Sequence, residues 1–104
     1  EDNNALWKGI ANRDIQILAT DHCSFNYKNQ KEIGLKDFSK IPNGAPGVEH
    51  RMILLYSFGV REERISINKL VEITSENASK IFGLYPNKGV IAEGSDGDIL
   101  VLNF

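Results

Sequence analysis

Asp21, His22 and Cys23 follow one another in the chain, and each side chain is a type that ligates metals or moves protons. On an extended segment Asp21 and Cys23 would share one face, with His22 on the other. A zinc site needs three or four convergent donors, so this triplet supplies part of a metal site at most. The same triplet also suits a structural strand end, with Asp21 as a cap, His22 half-buried and Cys23 an inert core thiol. Spacing alone leaves both readings open. A second feature is Pro42-Asn43-Gly44-Ala45-Pro46-Gly47, the composition of a rigid turn leading into a helix. Its glycines would also let backbone groups approach a ligand closely. Glu49 and His50 come next, where an early acidic residue complements a helix dipole.

Periodicity predicts the elements that must position these groups. Leu6, Trp7, Ile10 and Ala11 lie on one helical stripe over 5–12, and Asn12-Arg13-Asp14 breaks it. The next six residues, Ile15-Gln16-Ile17-Leu18-Ala19-Thr20, hardly alternate, which is the pattern of a strand buried on both faces of a parallel sheet. Asp21 would stand at its C-terminal end. Residues 24–47 show no sustained period, and long irregular loops in compact domains are often functional. Val48, Met52, Leu55 and Tyr56 predict a helix closed at Gly59, with Ile53-Leu54-Leu55 assigned to the core. Arg61-Glu62-Glu63-Arg64 suits a solvated connector. Ser66 has the character of an N-cap for Ile67, Leu70, Val71 and Thr74, and Ser75 of a cap for a further short helix ended by Gly83. Tyr85-Pro86 stops helical continuation. Gly94-Ser95-Asp96-Gly97 predicts a turn, and residues 98–104 a closing strand. A doubly buried strand needs neighbours on both edges, and few strand candidates remain. The chain therefore looks like an excerpt from a larger α/β protein.

Composition narrows the function classes. With 12 Lys+Arg against 14 Asp+Glu in 104 residues, the net charge is −2, and no basic block invites a nucleic-acid backbone. Hydrophobic residues make up 41% and charged ones 25%, which is globular rather than disordered. No apolar run approaches the roughly 18 residues of a membrane helix. The start, Glu1-Asp2-Asn3-Asn4, is unlike a signal peptide, and a single cysteine suits a reducing compartment. The expectation is a cytoplasmic protein with neither nucleic-acid nor membrane partner.

Four segments in series resemble the D-hydantoinase/dihydropyrimidinase branch of the cyclic amidohydrolases: ATDHCSFN, QKEIGLKDFSKIPNGAPGVEHRM, VEITSENASKIFGLYPNKGVI and EGSDGDILVLNF. The resemblance implies an α/β fold, here the C-terminal fragment of a (β/α)8 barrel, mainly helical with few strands. Residues 1–83 would hold the seventh helix, the eighth strand (15–20), the active-site loop and the closing helices. Residues 84–104 would lead back into a small β-sandwich. A whole barrel takes about 250 residues, so only its end fits here. Family members open hydantoin or dihydropyrimidine rings with two divalent metal ions, usually zinc, and a homo-oligomer is expected. The resemblance maps the aspartate ending the eighth strand onto Asp21, as metal ligand and proton carrier. It maps the residue whose backbone bonds the ring amide onto Asn43. His22 and Cys23 match the family's DHC triplet but are not among its metal ligands, whose other members lie on earlier strands. The fragment by itself is expected to be inactive. The alternative is a non-catalytic dihydropyrimidinase-related scaffold, whose members typically lack the aspartate and carry glutamate in place of Asn43; this chain keeps Asp21 and Asn43.

Overall fold

The computed structural model describes residues 1–103 and divides them into two units, residues 1–18 with 55–103 and residues 19–54. In the first unit, α1 (Asp2–Ala11) carries Asp2 in its first turn and Lys8 in its last, both favourable to the helix dipole. Of its predicted stripe, Ile10 is buried and Trp7 half-buried, while Leu6 and Ala11 are exposed. The chain leaves α1 where expected: Asn12 caps it and Arg13 takes φ 70°.

Residues 15–20 form no strand, and neither do the described residues of 98–104; Phe104 lies outside the described residues. A strand exists through its ladder, and no described segment offers one here. Residues 15–18 instead lie against a helical run. The Leu18 N–H donates to the Ile73 carbonyl at 3.2 Å, and Asn77 Nδ2 donates to the Gln16 carbonyl at 2.7 Å.

α2 (Arg51–Leu55) continues directly into a π-helical turn, Tyr56–Val60. Gly59 therefore sits inside the turn and does not end the helix. It is buried because Trp7 packs onto it: a Cβ there would stand 2.9 Å from the Cη2 and Cζ3 atoms of Trp7. Ile53 and Leu54 are exposed, contrary to the core assignment, and only Leu55 of the triplet is buried. The charged connector does more than meet solvent, since Arg64 lies over the Trp7 ring at 5.6 Å and pairs with Glu62 at 2.8 Å.

Ser66 caps α3 (Ile67–Val71) as its position suggests, accepting the Lys69 N–H at 3.1 Å. Ser75 caps nothing. The chain runs unbroken from α3 through a π-helical turn, Glu72–Glu76, into α4 (Asn77–Ile81). Thr74 stays in this run by donating its hydroxyl to the Leu70 carbonyl at 2.7 Å. Gly83 then takes φ 68°, the left-handed conformation that ends helices. The predicted turn falls two residues early, with Ser95 N–H bonded to the Ala92 carbonyl at 3.1 Å. The core of this unit is Ile10, Leu55, Ile65, Leu70 and Ile73, with Leu70 and Ile73 almost wholly enclosed.

In the second unit the irregular stretch contains two short 3-10 turns, Lys31–Gly34 and Phe38–Lys40. Asp37 caps the second by accepting the Ser39 N–H at 3.2 Å. Bonds from Ser39, and then the Lys40 ammonium, hold the Asp37 carboxyl below its ordinary range. No helix among the described residues is long and apolar enough to cross a membrane.

Candidate functional site

The DHC triplet and the proline–glycine loop, far apart in sequence, pack against each other within the second unit. The Cys23 N–H donates to the Ala45 carbonyl at 3.1 Å. The His22 ring accepts two loop amides at Nδ1, from Gly47 at 3.0 Å and Val48 at 3.3 Å. An accepting Nδ1 places the imidazole proton on Nε2. Gly44, at φ 137°, closes this contact: a Cβ there would lie 2.4 Å from the Cys23 carbonyl oxygen and 3.0 Å from its sulfur. Only glycine fits both that conformation and that approach.

Asp21 lies at the edge of this arrangement and is exposed. Its φ of 47° is left-handed, a conformation that aspartate tolerates better than most residues. Regular alternation therefore stops at Asp21, so the extended segment on which Asp21 and Cys23 would oppose His22 is not formed there. Nor is the triplet a strand end with a half-buried histidine and a core thiol, because His22 and Cys23 are both exposed. Asn43 is exposed in the loop that His22 and Cys23 hold.

A further residue joins the site without any signal in the sequence. Lys31, in the first 3-10 turn, donates its ammonium to the carbonyls of Pro42 and Gly44, the latter at 2.8 Å. It also lies 5.2 Å from the centre of the Phe25 ring. A lysine in a stretch without periodicity is unremarkable by spacing, and nothing but the folded loop exposes its role. His22 was likewise visible as a residue type but not as a loop anchor.

The donor set tests whether a metal fits. Among the described residues, no three His, Cys, Asp or Glu side chains converge on one point. A metal centre needs at least three protein donors, and this stretch offers Asp21 as one. These residues alone do not make a metal site.

Residues 1–104 match the amidohydrolase family along their whole length, and the chain belongs to that family. Within it, the D-phenylhydantoinase of Escherichia coli O1:K1 is 47% identical over 102 residues, which are 98% of this chain and 22% of that enzyme. The D-hydantoinase of Bacillus sp. AR9 superposes with a TM-score of 0.88 at 52% identity, covering 91% of this chain and 21% of that one. The dihydropyrimidinase of Brevibacillus agri NCHU1002 gives 0.87 at 50% identity, covering 90% and 20%. The chain thus spans about a fifth of the length of the relatives it matches. Its local fold is that of the corresponding part of these hydantoinases, helical and with no strand ladder of its own among the described residues.

Proposed function

We propose that this chain is the part of a metal-dependent cyclic-amide hydrolase that carries its proton-transfer carboxylate, Asp21, and its ring-binding backbone, Asn43. The supporting observation is the joining of the Asp21 segment to the Asn43 loop by the Cys23–Ala45 and His22–Gly47/Val48 hydrogen bonds. Two groups with separate tasks are held in one substructure, as a reaction on a small ring requires. The hydantoinase and dihydropyrimidinase names of the relatives supply the substrate class, hydantoins and dihydropyrimidines.

In this reading Asp21 would help hold two divalent ions, usually zinc, which would supply Lewis-acid polarisation of the ring carbonyl and an activated water. Asp21 contributes one donor, and the others come from strands that residues 1–104 do not include. The Asp21 carboxylate accepts the proton as oxygen adds to the carbonyl carbon. It returns that proton to the ring nitrogen as the C–N bond breaks, leaving a carboxylate and an open-chain amide or ureido group. The Asn43 backbone bonds the ring amide and fixes which carbonyl is attacked.

Two further features support a larger assembly around this segment. Residues 15–20 have the composition of a barrel strand but no ladder, so the complete barrel would supply the neighbours. Large apolar side chains are exposed, among them Phe38 at 86%, Ile91 at 87% and Val101 at 86%, and such surface is normally covered by protein. Residues 1–83 would then be the end of the barrel and 84–104 the return to a β-sandwich, in a cytoplasmic homo-oligomer. The 104-residue chain by itself is inactive in this reading.

Asp21→Asn in a full-length hydantoinase carrying this segment tests the assignment. The amide keeps the size and one ligating oxygen but cannot take up the proton. Turnover of hydantoin should fall by about 10²–10⁴-fold, with part of the metal retained and the circular dichroism unchanged. A near-parental rate with normal metal content would place the proton transfer elsewhere.

A further inference from the structure

The two carbonyls that Lys31 holds are those of the residues on either side of Asn43. The Pro42 carbonyl belongs to the same peptide group as the Asn43 N–H. That peptide is trans, because the cis bond of the described chain is Tyr85-Pro86, and a trans peptide points its N–H opposite to its carbonyl. An ammonium drawn onto the Pro42 oxygen therefore turns the Asn43 N–H away from the lysine. The bond to the Gly44 oxygen holds the Gly44–Ala45 peptide, so the lysine spans the turn on both sides of Asn43. Both bonds are charge-assisted, and a compact ammonium with three donors serves two separate carbonyls better than a planar guanidinium would. The same ammonium lies over the Phe25 ring, and His22 and Cys23 hold the loop further along, at Ala45, Gly47 and Val48.

We infer that Lys31 is a positioning residue, pinning the carbonyls of Pro42 and Gly44 so that the Asn43 backbone faces the ring amide of the substrate. The inference rests on the reading of Asn43 given above. It makes the loop a three-point mount, with Lys31, His22 and the Cys23 backbone as the points and Asn43 as the group presented.

Lys31→Met keeps an unbranched apolar side chain and removes every donor and the charge over Phe25; Lys31→Arg keeps the charge with a different fork. Amide hydrogen exchange of the 104-residue chain should speed up over residues 43–48 by at least about tenfold in Lys31→Met, the loss expected from one charge-assisted bond. Residues 67–81 serve as the internal control and should not change. In a full-length hydantoinase carrying this segment, Lys31→Met should raise KM for hydantoin at least about tenfold, lower kcat less, and leave the metal content intact, with Lys31→Arg between it and the parent. Unaltered exchange over 43–48 in Lys31→Met would overturn the role of Lys31. Faster loop exchange with an unchanged KM would instead overturn the Asn43 reading and reduce Lys31 to a loop anchor. Should Lys31→Met lose protection over 67–81 as well, Lys31→Arg decides: loss confined to the loop upholds the inference, and loss along the whole chain overturns it.

Discussion

Residues 1–18 with 55–103 enclose five apolar side chains, Ile10, Leu55, Ile65, Leu70 and Ile73, whereas the one buried residue of 19–54 is Gly34. The first unit is held by burial, which is non-directional and tolerates small shifts. The second is held by single bonds with fixed donors and acceptors: Lys31 to two carbonyls, His22 to two amides, and Cys23 to Ala45. Such bonds set geometry well but stabilise modestly, at about 0.5–1.5 kcal/mol each net, and more where charged. The groups proposed to act on substrate, Asp21 and Asn43, both lie in the second unit. On the proposed reading, the chain separates what keeps it folded from what would aim its chemistry. Segments with few buried contacts are also the ones that open first.

The strongest way to break that comparison is to remove one apolar side chain from each unit. Leu70 is fully enclosed, so Leu70→Ala should cost about 2–5 kcal/mol. Phe38 is 86% exposed, and Phe38→Ala should change stability by no more than about 0.5 kcal/mol despite deleting a larger group. Urea unfolding of the two variants against the parent measures both. Equal losses would mean that residues 19–54 bury apolar surface after all.

Adding a methyl group at a glycine sharpens the contrast. In Gly59→Ala the new carbon would stand 2.9 Å from two Trp7 ring carbons and 3.1 Å from Ile65 Cδ1, inside the packed unit. Overpacking there should cost about 1–3 kcal/mol of global stability. In Gly44→Ala the new carbon would meet the Cys23 carbonyl oxygen at 2.4 Å, on a backbone with positive φ. The loop should give way locally instead. We expect faster exchange over 43–48 and a raised KM for hydantoin in a full-length enzyme, with the urea midpoint nearly unmoved. A global destabilisation by Gly44→Ala as large as that by Gly59→Ala would show that the two units unfold as one.

The same division decides what the sequence could reveal. Ser66 as a cap, Gly83 as a helix end and the break at Asn12-Arg13-Asp14 were legible because each depends on its immediate neighbours. Ser75 and Gly59 were misread for one reason: both sit in continuous helix through a π-helical turn, and five-residue turns leave no periodic signature. Residues 15–20 have the composition of a strand, but composition cannot provide the partner that makes a ladder. Asp21 and Asn43 are singled out by motif resemblance, not by spacing. The bonds that join their segments run between residues 22 and 47, or 31 and 44, and no local pattern foretells such pairs. Lys31 was invisible for that reason.

The smallest effect concerns the outlying residues of the first unit, where polar ties again replace burial. Lys88 pairs with Asp96 at 2.9 Å and with Asp98. The bond to Asp98, and next that to Asp96, raise the Lys88 pKa to about 12 from its ordinary 10.5. The same ammonium lowers the Asp98 carboxyl from 3.8. A raised lysine pKa gives a contribution that is complete below pH 10.5 and fades as pH climbs through about 12. A lowered carboxyl pKa gives one that is complete above pH 3.8 and fades as pH falls further. The tie should therefore hold unchanged between these limits and loosen on both sides. Because all three groups are exposed, its worth is small and shrinks with added salt. Amide chemical shifts of residues 96–99, followed from acid to alkali, should move at both ends while those of 67–81 do not. Lys88→Gln should give in the parent's plateau the shifts that the parent reaches only at its alkaline extreme. Shifts over 96–99 that ignore Lys88→Gln would mean that the Asp96 N–H bond to the Asn87 carbonyl, at 2.8 Å, holds this segment without help from charge.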